Sequence, residues 1–235
     1  ASITCIIFYK FGKRIFPEDS TANLLGLSAG SGNTGYFGIP VAIMIFGEKI
    51  FPLAVLSTLG MILYELTTGF FVAARGSNTI KESLERMKKL PAIYAFGAGI
   101  ILNMAKIPLG DVVNTTIDQF KGVYTIVGMM MIGMGLATAH RDLIDKKFMI
   151  WAFFAKFAVW PLLMSMIIFL DKNLLHLYNN DIYGILILAS IVPLAANTVT
   201  WATELKAHPE KAAIAVVIST IFALFYIPLI VGLIF

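Results

Sequence analysis

The sequence predicts an all-α polytopic membrane protein, and three observations lead to that fold class. Hydrophobic residues make up 58% of the 235 residues and charged residues only 14%, whereas soluble domains carry about 25% charged residues. Several apolar runs have the length of roughly 20 residues that a helix needs to cross a bilayer. Two of these runs, 21–46 and 182–205, carry proline and asparagine near their middle, which predicts broken membrane helices.

Eight apolar segments follow one another along the chain, separated by shorter charged stretches, as in membrane helices joined by loops. The first, 1–9, is too short to span, so we expect it to be the end of a longer helix followed by a polar linker. The charged stretch 75–90 predicts a short surface helix. The predicted segments, in chain order, are 1–9, 21–46, 51–74, 91–105, 117–139, 148–170, 182–205 and 212–235.

Basic residues are distributed unevenly between alternate loops, which predicts the orientation in the cell membrane. With the first linker placed in the cytoplasm, that side holds thirteen Lys and Arg residues and the other side three, or four if Lys121 is counted. The net charge of +4 therefore indicates topology, with the C-terminus outside, and not nucleic-acid binding. The predicted cytoplasmic loops are 9–20, 75–90, 140–147 and 206–211, and the thirteen residues are Lys10, Lys13, Arg14, Arg75, Lys81, Arg86, Lys88, Lys89, Arg141, Lys146, Lys147, Lys206 and Lys211.

The first interruption is the stretch Gly32-Asn33-Thr34-Gly35-Tyr36-Phe37-Gly38-Ile39-Pro40. Proline lacks a backbone N–H and clashes with the preceding turn, so it breaks or kinks a helix. Irregular backbone at membrane depth is tolerated only where protein buries it or where it lines a cavity. We therefore interpret this stretch as a broken transmembrane helix at a transport site.

The second interruption is Ile191-Val192-Pro193-Leu194-Ala195-Ala196-Asn197-Thr198-Val199-Thr200. By the charge count, its segment crosses in the direction opposite to segment 21–46, and each is followed by one more span. This pattern is typical of an inverted repeat with a broken helix at the same place in each half. The half-helix N-termini would attract an anion. The alternative is that these residues only kink or pack the helices.

Seven residues are predicted to bind substrate, because they carry the amides, hydroxyls and freed backbone of the two interruptions. Two ionisable residues lie inside predicted spans, where such groups are functional candidates by default. Glu65 could bind a coupling proton or cation, or simply hydrogen-bond a neighbouring helix. Lys156 could compensate an anionic substrate, or extend its ammonium group to the cytoplasmic surface. The predicted substrate-binding residues are Asn33, Thr34, Gly35, Pro40, Pro193, Asn197 and Thr198.

Both interruptions resemble those of the auxin efflux carrier family, the PIN-like permeases. Asn33-Thr34-Gly35 followed by Gly38-Ile39-Pro40 is similar to the fourth helix of that family. The block similar to its ninth helix, and to the turn into its tenth, consists of Ile191-Val192-Pro193, Asn197, Glu204, His208 and Pro209. The resemblance covers essentially the whole chain. It implies a ten-helix fold of two inverted five-helix repeats, crossed at helices four and nine, that carries organic anions such as small carboxylates.

The resemblance also implies a domain division. Residues 1–74 would be the later part of the first repeat, 75–90 a cytoplasmic linker, and 91–235 the second repeat, with helices six to ten. Compared with a complete repeat, roughly 70 residues, comprising helices one, two and most of three, would be missing. The shortness of the 75–90 loop favours a bacterial-type member.

We therefore expect a secondary transporter of small organic anions that works by alternating access, with segments 21–46, 51–74, 182–205 and 212–235 moving as one unit. The alternatives are a channel, a membrane scaffold, a transport-inactive fragment or an intramembrane enzyme. The sequence has no nucleophile elbow, phosphate loop or metal-ligand spacing, so we expect no enzyme, no metal and no cofactor. The expected partners are the anion, the lipid bilayer, a coupling proton or sodium ion, and a second copy in a homodimer, but no nucleic acid.

Overall fold

The computed structural model describes residues 1–17, 19–117, 119–120, 123, 126, 130, 134 and 144–234. Within these ranges every regular element is helical, which confirms the predicted all-helical class. The ten-helix inverted repeat and its division into 1–74, 75–90 and 91–235 remain predictions. Most of the predicted segment 117–139 lies outside the described residues.

Within the described residues, twelve α-helices have both ends defined, and residues 111–117 are also helical. Four π-helical turns interrupt or end them, at Thr34–Gly38, Glu65–Gly69, Ala155–Val159 and Asp171–Leu175. The α-helices are α1 (Ser2–Ile15), α2 (Thr21–Gly30), α3 (Ile39–Phe46), α4 (Phe51–Tyr64), α5 (Phe70–Ala74), α6 (Ile80–Lys88), α7 (Pro91–Met104), α8 (Lys146–Phe154), α9 (Trp160–Leu170), α10 (Asn180–Ile191), α11 (Asn197–Glu204) and α12 (Pro209–Ile234).

Three continuous helices in the described ranges are long and apolar enough to cross a membrane. They correspond to the predicted segments 51–74, 148–170 and 212–235, and support a multi-pass membrane protein. Their bounds are Glu48–Ala74, Lys146–Leu175 and Pro209–Leu233. Two further apolar helices, α7 and α10, are shorter, with 14 and 12 residues. The orientation of these helices in the membrane remains a prediction.

Helix α1 corrects the prediction that the first helix ends near Tyr9 and that a linker fills 9–20. The helix continues to Ile15, so the loop begins only at Phe16. Lys13 and Arg14 lie in its last turn, where cations complement the partial negative charge of a helix C-terminus. The Lys13 ammonium also lies 4.8 Å from the centre of the Tyr9 ring, and a cation over an aromatic face is attractive.

Helix α2 is the centre of the fold, since all ten of its residues are buried. A helix surrounded by other elements has no polar face to keep in water. Leu24, Leu25 and Leu27 are fully buried in a cluster that also contains Phe70 of α5 and Phe148 of α8. The two chain halves therefore share one core around α2.

Glycine allows α1 to approach α2 closely. A Cβ atom built on Gly26 would lie 2.8 Å from the Tyr9 Cβ and 3.1 Å from the Cys5 carbonyl oxygen. These distances are below normal contact, and the Cys5 oxygen is backbone that cannot easily move. Small residues at such crossings let helices in membranes pack backbone to backbone.

Both predicted interruptions are breaks in helical structure. Helix α2 ends at Gly30, and regular structure resumes only at Thr34. Helix α10 ends at Ile191, and α11 begins at Asn197. Pro193 lies inside its break, whereas Pro40 lies within a helical run, because the π-helical turn Thr34–Gly38 continues directly into α3 and the Ile39 N–H donates to the Gly35 carbonyl oxygen. The first break is thus at residues 31–33, ahead of Pro40.

Candidate functional site

The two helix breaks meet and are hydrogen-bonded to each other. The backbone N–H of Asn33 donates to the carbonyl oxygen of Pro193 across 2.9 Å. The hydroxyl groups of Ser31 and Thr198 lie 3.1 Å apart in a buried hydrogen bond. Backbone groups that a continuous helix would have paired internally are therefore partly satisfied by the other break, as buried polar groups require.

Asn33 also organises the chain that follows it. Its side-chain oxygen accepts a hydrogen bond from the N–H of Phe37 at 3.2 Å, and its carbonyl accepts one from Gly38 at 2.9 Å. These bonds cap the π-helical turn Thr34–Gly38. Within the described part of the chain, the side-chain NH₂ of Asn33 donates no hydrogen bond, so this donor is available to a bound molecule.

Glu65 and Asn197 pair beside the breaks. The Glu65 side chain is only 4% exposed, and its carboxylate accepts a 2.9 Å hydrogen bond from the Asn197 amide nitrogen. Glu65 begins the π-helical turn between α4 and α5, and π-turns inside helices occur often at functional sites. A buried carboxylate that faces an amide, and that forms no salt bridge with the described residues, can take up a proton or a cation.

A cavity of about 500 Å³ opens at this junction. Of the predicted substrate-binding residues, Asn33, Thr34, Gly35 and Asn197 line it, together with Glu65. Pro40, Pro193 and Thr198 are not among its lining residues. Pro40 is exposed, while Pro193 and Thr198 hold the breaks together by the bonds described above. The remaining wall is contributed by Gly32, Tyr36, Ile39, Thr58, Met61, Ile62, Ala195 and Ala196.

The sequence did not predict three residues of this wall, which lie on α4: Thr58, Met61 and Ile62. Thr58, Met61, Ile62 and Glu65 follow the spacing i, i+3, i+4, i+7, which places them on one helix face. Glu65 was recognised as a lone intramembrane carboxylate. The helical spacing upstream of it was a signal that could have identified the other three.

Lys156 is fully buried, which excludes the interpretation that its ammonium group reaches the cytoplasmic surface. It lies in the π-helical turn Ala155–Val159. Its Nζ donates to the Ala189 carbonyl at 3.3 Å and lies 4.3 Å from the centre of the Trp160 ring. The Trp160 indole N–H donates to the Ala29 carbonyl at 2.6 Å, which fixes the ring at the end of α2. No carboxylate of the described residues forms a salt bridge with Lys156.

A second polar cluster lies at the start of α2, and none of its residues lines the cavity. Lys211 donates to the Thr21 hydroxyl at 2.8 Å and to the Asp145 carboxylate at 3.0 Å. His208 lies 3.3 Å from Asp19. Burial raises the pKa of Asp19, but hydrogen bonds from Thr21 and the charges of Lys211 and His208 outweigh it and lower that pKa below its ordinary value. This cluster joins the loop before α2, the start of α8 and the start of α12.

The described side chains contain no group of three or more His, Cys, Asp or Glu residues that could hold a metal ion. What the site offers is amide and hydroxyl donors, one carboxylate, and an apolar wall. Such a lining can bind and orient a small molecule.

Comparison with known proteins supports a membrane transporter. A family model for the Sodium Bile acid symporter family matches residues 122–235. An uncharacterized transporter of Methanocaldococcus jannaschii, MJ1031, is 28% identical over 230 residues, which cover 95% of this chain and 72% of that protein. No solved structure is significantly similar.

These findings overturn the resemblance to the auxin efflux carrier family, because the family match is to the Sodium Bile acid symporter family and nothing points to the auxin carriers. The residues that carried the resemblance explain the error. Glycine, asparagine and proline are the residue types that any broken membrane helix requires, since they supply backbone freedom, uncharged polar groups and a missing N–H. Such a motif indicates a broken helix and does not identify a family.

Proposed function

We propose that this chain belongs to a secondary transporter that carries a small organic anion, such as a carboxylate, by alternating access around the two crossed breaks. The observation that carries the proposal is the hydrogen bond between Asn33 N–H and the Pro193 carbonyl, at the edge of a cavity lined by Asn33 and Asn197. Irregular backbone at membrane depth is expected beside a substrate path.

The anion class is supported by the donors that converge on the cavity. Asn33 brings an amide NH₂ that has no acceptor among the described residues, Thr34 brings a hydroxyl, and the N-terminal end of α11 lies in the cavity wall at Asn197. A helix N-terminus carries about half a positive charge and favours anions. The matched family is named for sodium and bile acid, and a bile acid is an organic acid.

The coupling ion is assigned to Glu65. An anion that enters a cell with a negative interior is opposed by about 2.3 kcal/mol per 100 mV, so import requires a cation that travels with it. Glu65 is the carboxylate in the cavity wall, and it can take a proton or a sodium ion. In the moving unit, α2 to α5 and α10 to α12 would shift together against the other helices, which exposes the cavity to each side in turn.

The experiment is uptake by the full-length protein in proteoliposomes. Succinate, benzoate and cholate span the range of carboxylates that a cavity of about 500 Å³ admits, and each is tested with imposed voltage, pH and sodium gradients. We expect saturable uptake of at least one, with Asn33→Ala and Asn197→Ala reducing it by at least tenfold through loss of charge-assisted hydrogen bonds.

Asn103→Ala is the matched control, because Asn103 is an exposed asparagine near the end of α7. Its uptake should equal that of the wild type. Full uptake in both Asn33→Ala and Asn197→Ala would contradict the site, and flux that does not saturate would indicate a channel.

A further inference from the structure

Helix α6 is amphipathic, and part of its apolar side is exposed. Ile80 is 59% and Leu84 39% exposed, although leucine and isoleucine are among the residues most often buried in folded proteins. Lys88 follows them at the same four-residue spacing, so these three residues form a row along one helix face. Lys81 lies beside this row, one residue after Ile80 and three before Leu84. The exposed face therefore combines two apolar side chains with two ammonium groups.

The remaining charged side chains of α6 and its C-terminal end belong to a different side of the helix. They surround a polar depression, which is lined by Asn78, Glu82, Glu85, Arg86 and Lys89. Both acidic residues of the helix are in this group. The face with Ile80 and Leu84 consequently carries positive charge without a carboxylate of its own helix.

Contacts at both ends fix α6 against the body of the protein. At its N-terminus, Thr79 and Glu82 form a capping box, in which the Glu82 carboxylate accepts a 2.7 Å hydrogen bond from the Thr79 N–H. Near its C-terminus, the Tyr94 hydroxyl donates to the Lys88 carbonyl oxygen at 2.7 Å. Met87 packs against the core cluster around α2. The helix and its exposed face are therefore formed without any partner.

The place of α6 in the chain brings this face to the surface of the membrane. The membrane-length helix Glu48–Ala74 ends just before it, with residues 75–79 between them, and the apolar helix α7 begins at Pro91. Tyr94 is exposed, and tyrosine is enriched at membrane–water interfaces. Residues 75–89 contain five Lys or Arg and two Glu. Basic clusters on an amphipathic helix beside a membrane span attract anionic lipid headgroups.

We propose that α6 is an interfacial helix that binds the anionic surface of the bilayer, with Ile80 and Leu84 among the acyl chains and Lys81 and Lys88 on lipid phosphate groups. Lysine suits this position because its methylene chain lies along apolar surface while its ammonium group reaches the headgroups. A bilayer is favoured over an acidic protein segment because the face adjoins a membrane span, where hydrocarbon and phosphate lie side by side.

The test measures the depth of nitroxide labels by electron paramagnetic resonance. The full-length protein is placed in nanodiscs of phosphatidylcholine with an increasing share of phosphatidylglycerol. Labels are attached in Ile80→Cys and in Leu84→Cys, and the buried thiol of Cys5 does not compete for them. With phosphatidylglycerol present, we expect both labels to be accessible to oxygen, which concentrates in hydrocarbon, and shielded from a water-soluble nickel complex. Glu85→Cys is the matched control, because it follows Leu84 but lines the polar depression, and its label should remain accessible to the nickel complex.

The double variant Lys81→Gln with Lys88→Gln tests the charge, with the label at position 80. Each lysine near an anionic surface strengthens binding by about fivefold, so we expect the share of phosphatidylglycerol that shields half of the label to rise by roughly threefold or more. Arg86→Gln with Lys89→Gln removes the same charge from the other side of the helix. Because water and salt screen charges on that side, this control should shift the titration by less than about 1.5-fold.

All of these substitutions are at exposed positions, where changes seldom destabilise a fold, and size-exclusion profiles establish that each variant is folded. Labels at 80 and 84 that are as accessible to the nickel complex as the label at 85, at every lipid composition, overturn the inference and leave the face free for a protein partner. Shielding that depends neither on phosphatidylglycerol nor on the two lysines also overturns it, because the face would then insert through its apolar residues alone.

Discussion

The backbone N–H of Asn33 and the carbonyl oxygen of Pro193 form a 2.9 Å hydrogen bond that joins the two interrupted helices. Because the bond uses main-chain atoms on both sides, no side-chain substitution alone removes it, apart from proline at position 33. It fixes the relative position of the Asn33 and Asn197 side chains at the cavity wall. The two breaks therefore hold the interrupted helices together and also form part of the cavity wall.

The difference in stability between Asn33→Pro and Asn33→Ala measures the contribution of this hydrogen bond. Both variants lose the amide side chain, but only proline also loses the N–H, and the φ of −76° at Asn33 is one that proline adopts. The Pro193 carbonyl is then left without its partner, at a cost of about 1–3 kcal/mol. We expect Asn33→Pro to unfold at lower denaturant than Asn33→Ala in mixed micelles, and equal midpoints would show that the bond contributes nothing.

The Ser31 and Thr198 hydroxyls should show coupled stability. Ser31→Ala and Thr198→Val each leave the other hydroxyl buried with one bond fewer, which costs about 1–3 kcal/mol. The double variant removes both groups and should cost less than the sum, by about 1 kcal/mol. Unfolding titrations of the four proteins measure this difference, and strict additivity would mean that the 3.1 Å contact has no energetic weight.

Glu65→Gln should remove the coupling of uptake to ion gradients without lowering the stability of the fold. A glutamine oxygen can still accept the hydrogen bond from Asn197, so the pair is preserved, and a neutral amide is less costly to bury than a carboxylate. We expect an equal or higher melting temperature together with uptake that no longer responds to pH or sodium gradients. Uptake with the wild-type response to both gradients would exclude Glu65 as the coupling residue.

Asp19 should contribute to stability in a pH-dependent way. Its pKa is lowered in the folded protein, so its contribution is fully present above the unfolded value of about 3.9 and is lost as the pH falls through the folded pKa. The side chain is 45% exposed, so the effect at pH 7 should be about 1 kcal/mol or less.

The measurement is the difference in melting temperature between wild type and Asp19→Asn, which we expect to be larger at pH 7 than at acid pH below the folded pKa of Asp19. Asp111→Asn, at an exposed aspartate, is the control. A difference that stays constant over this range, or grows toward acid, would contradict the assignment.

Part of the site could be predicted because its chemistry is local in sequence. Asn33, Thr34, Gly35 and Asn197 were selected as polar residues within interrupted apolar runs, and all four line the cavity. The same reasoning predicts a break at Pro40, but Pro40 lies beyond the break, where the π-helical turn Thr34–Gly38 continues into α3. Residue type alone could not distinguish these two settings.

The family was predicted wrongly for the same physical reason. Motifs of glycine, asparagine and proline recur wherever a membrane helix is broken, so they indicate the break and not the lineage. The boundary of α1 was also wrong, because its basic residues suggested a linker, whereas they lie in the last turn of a helix that they help to stabilise.

By itself, the sequence determined that this is a helical membrane protein with two interrupted apolar segments, because hydrophobic length and the loss of a backbone N–H at proline are properties of the local chain. Only the tertiary structure decided that the two breaks join at Asn33 and Pro193, that α4 supplies the facing wall with Glu65, and that Lys156 packs against Gly32. Those relationships depend on packing between residues distant in the chain, and no local pattern specifies which buried side chain packs against which helix break.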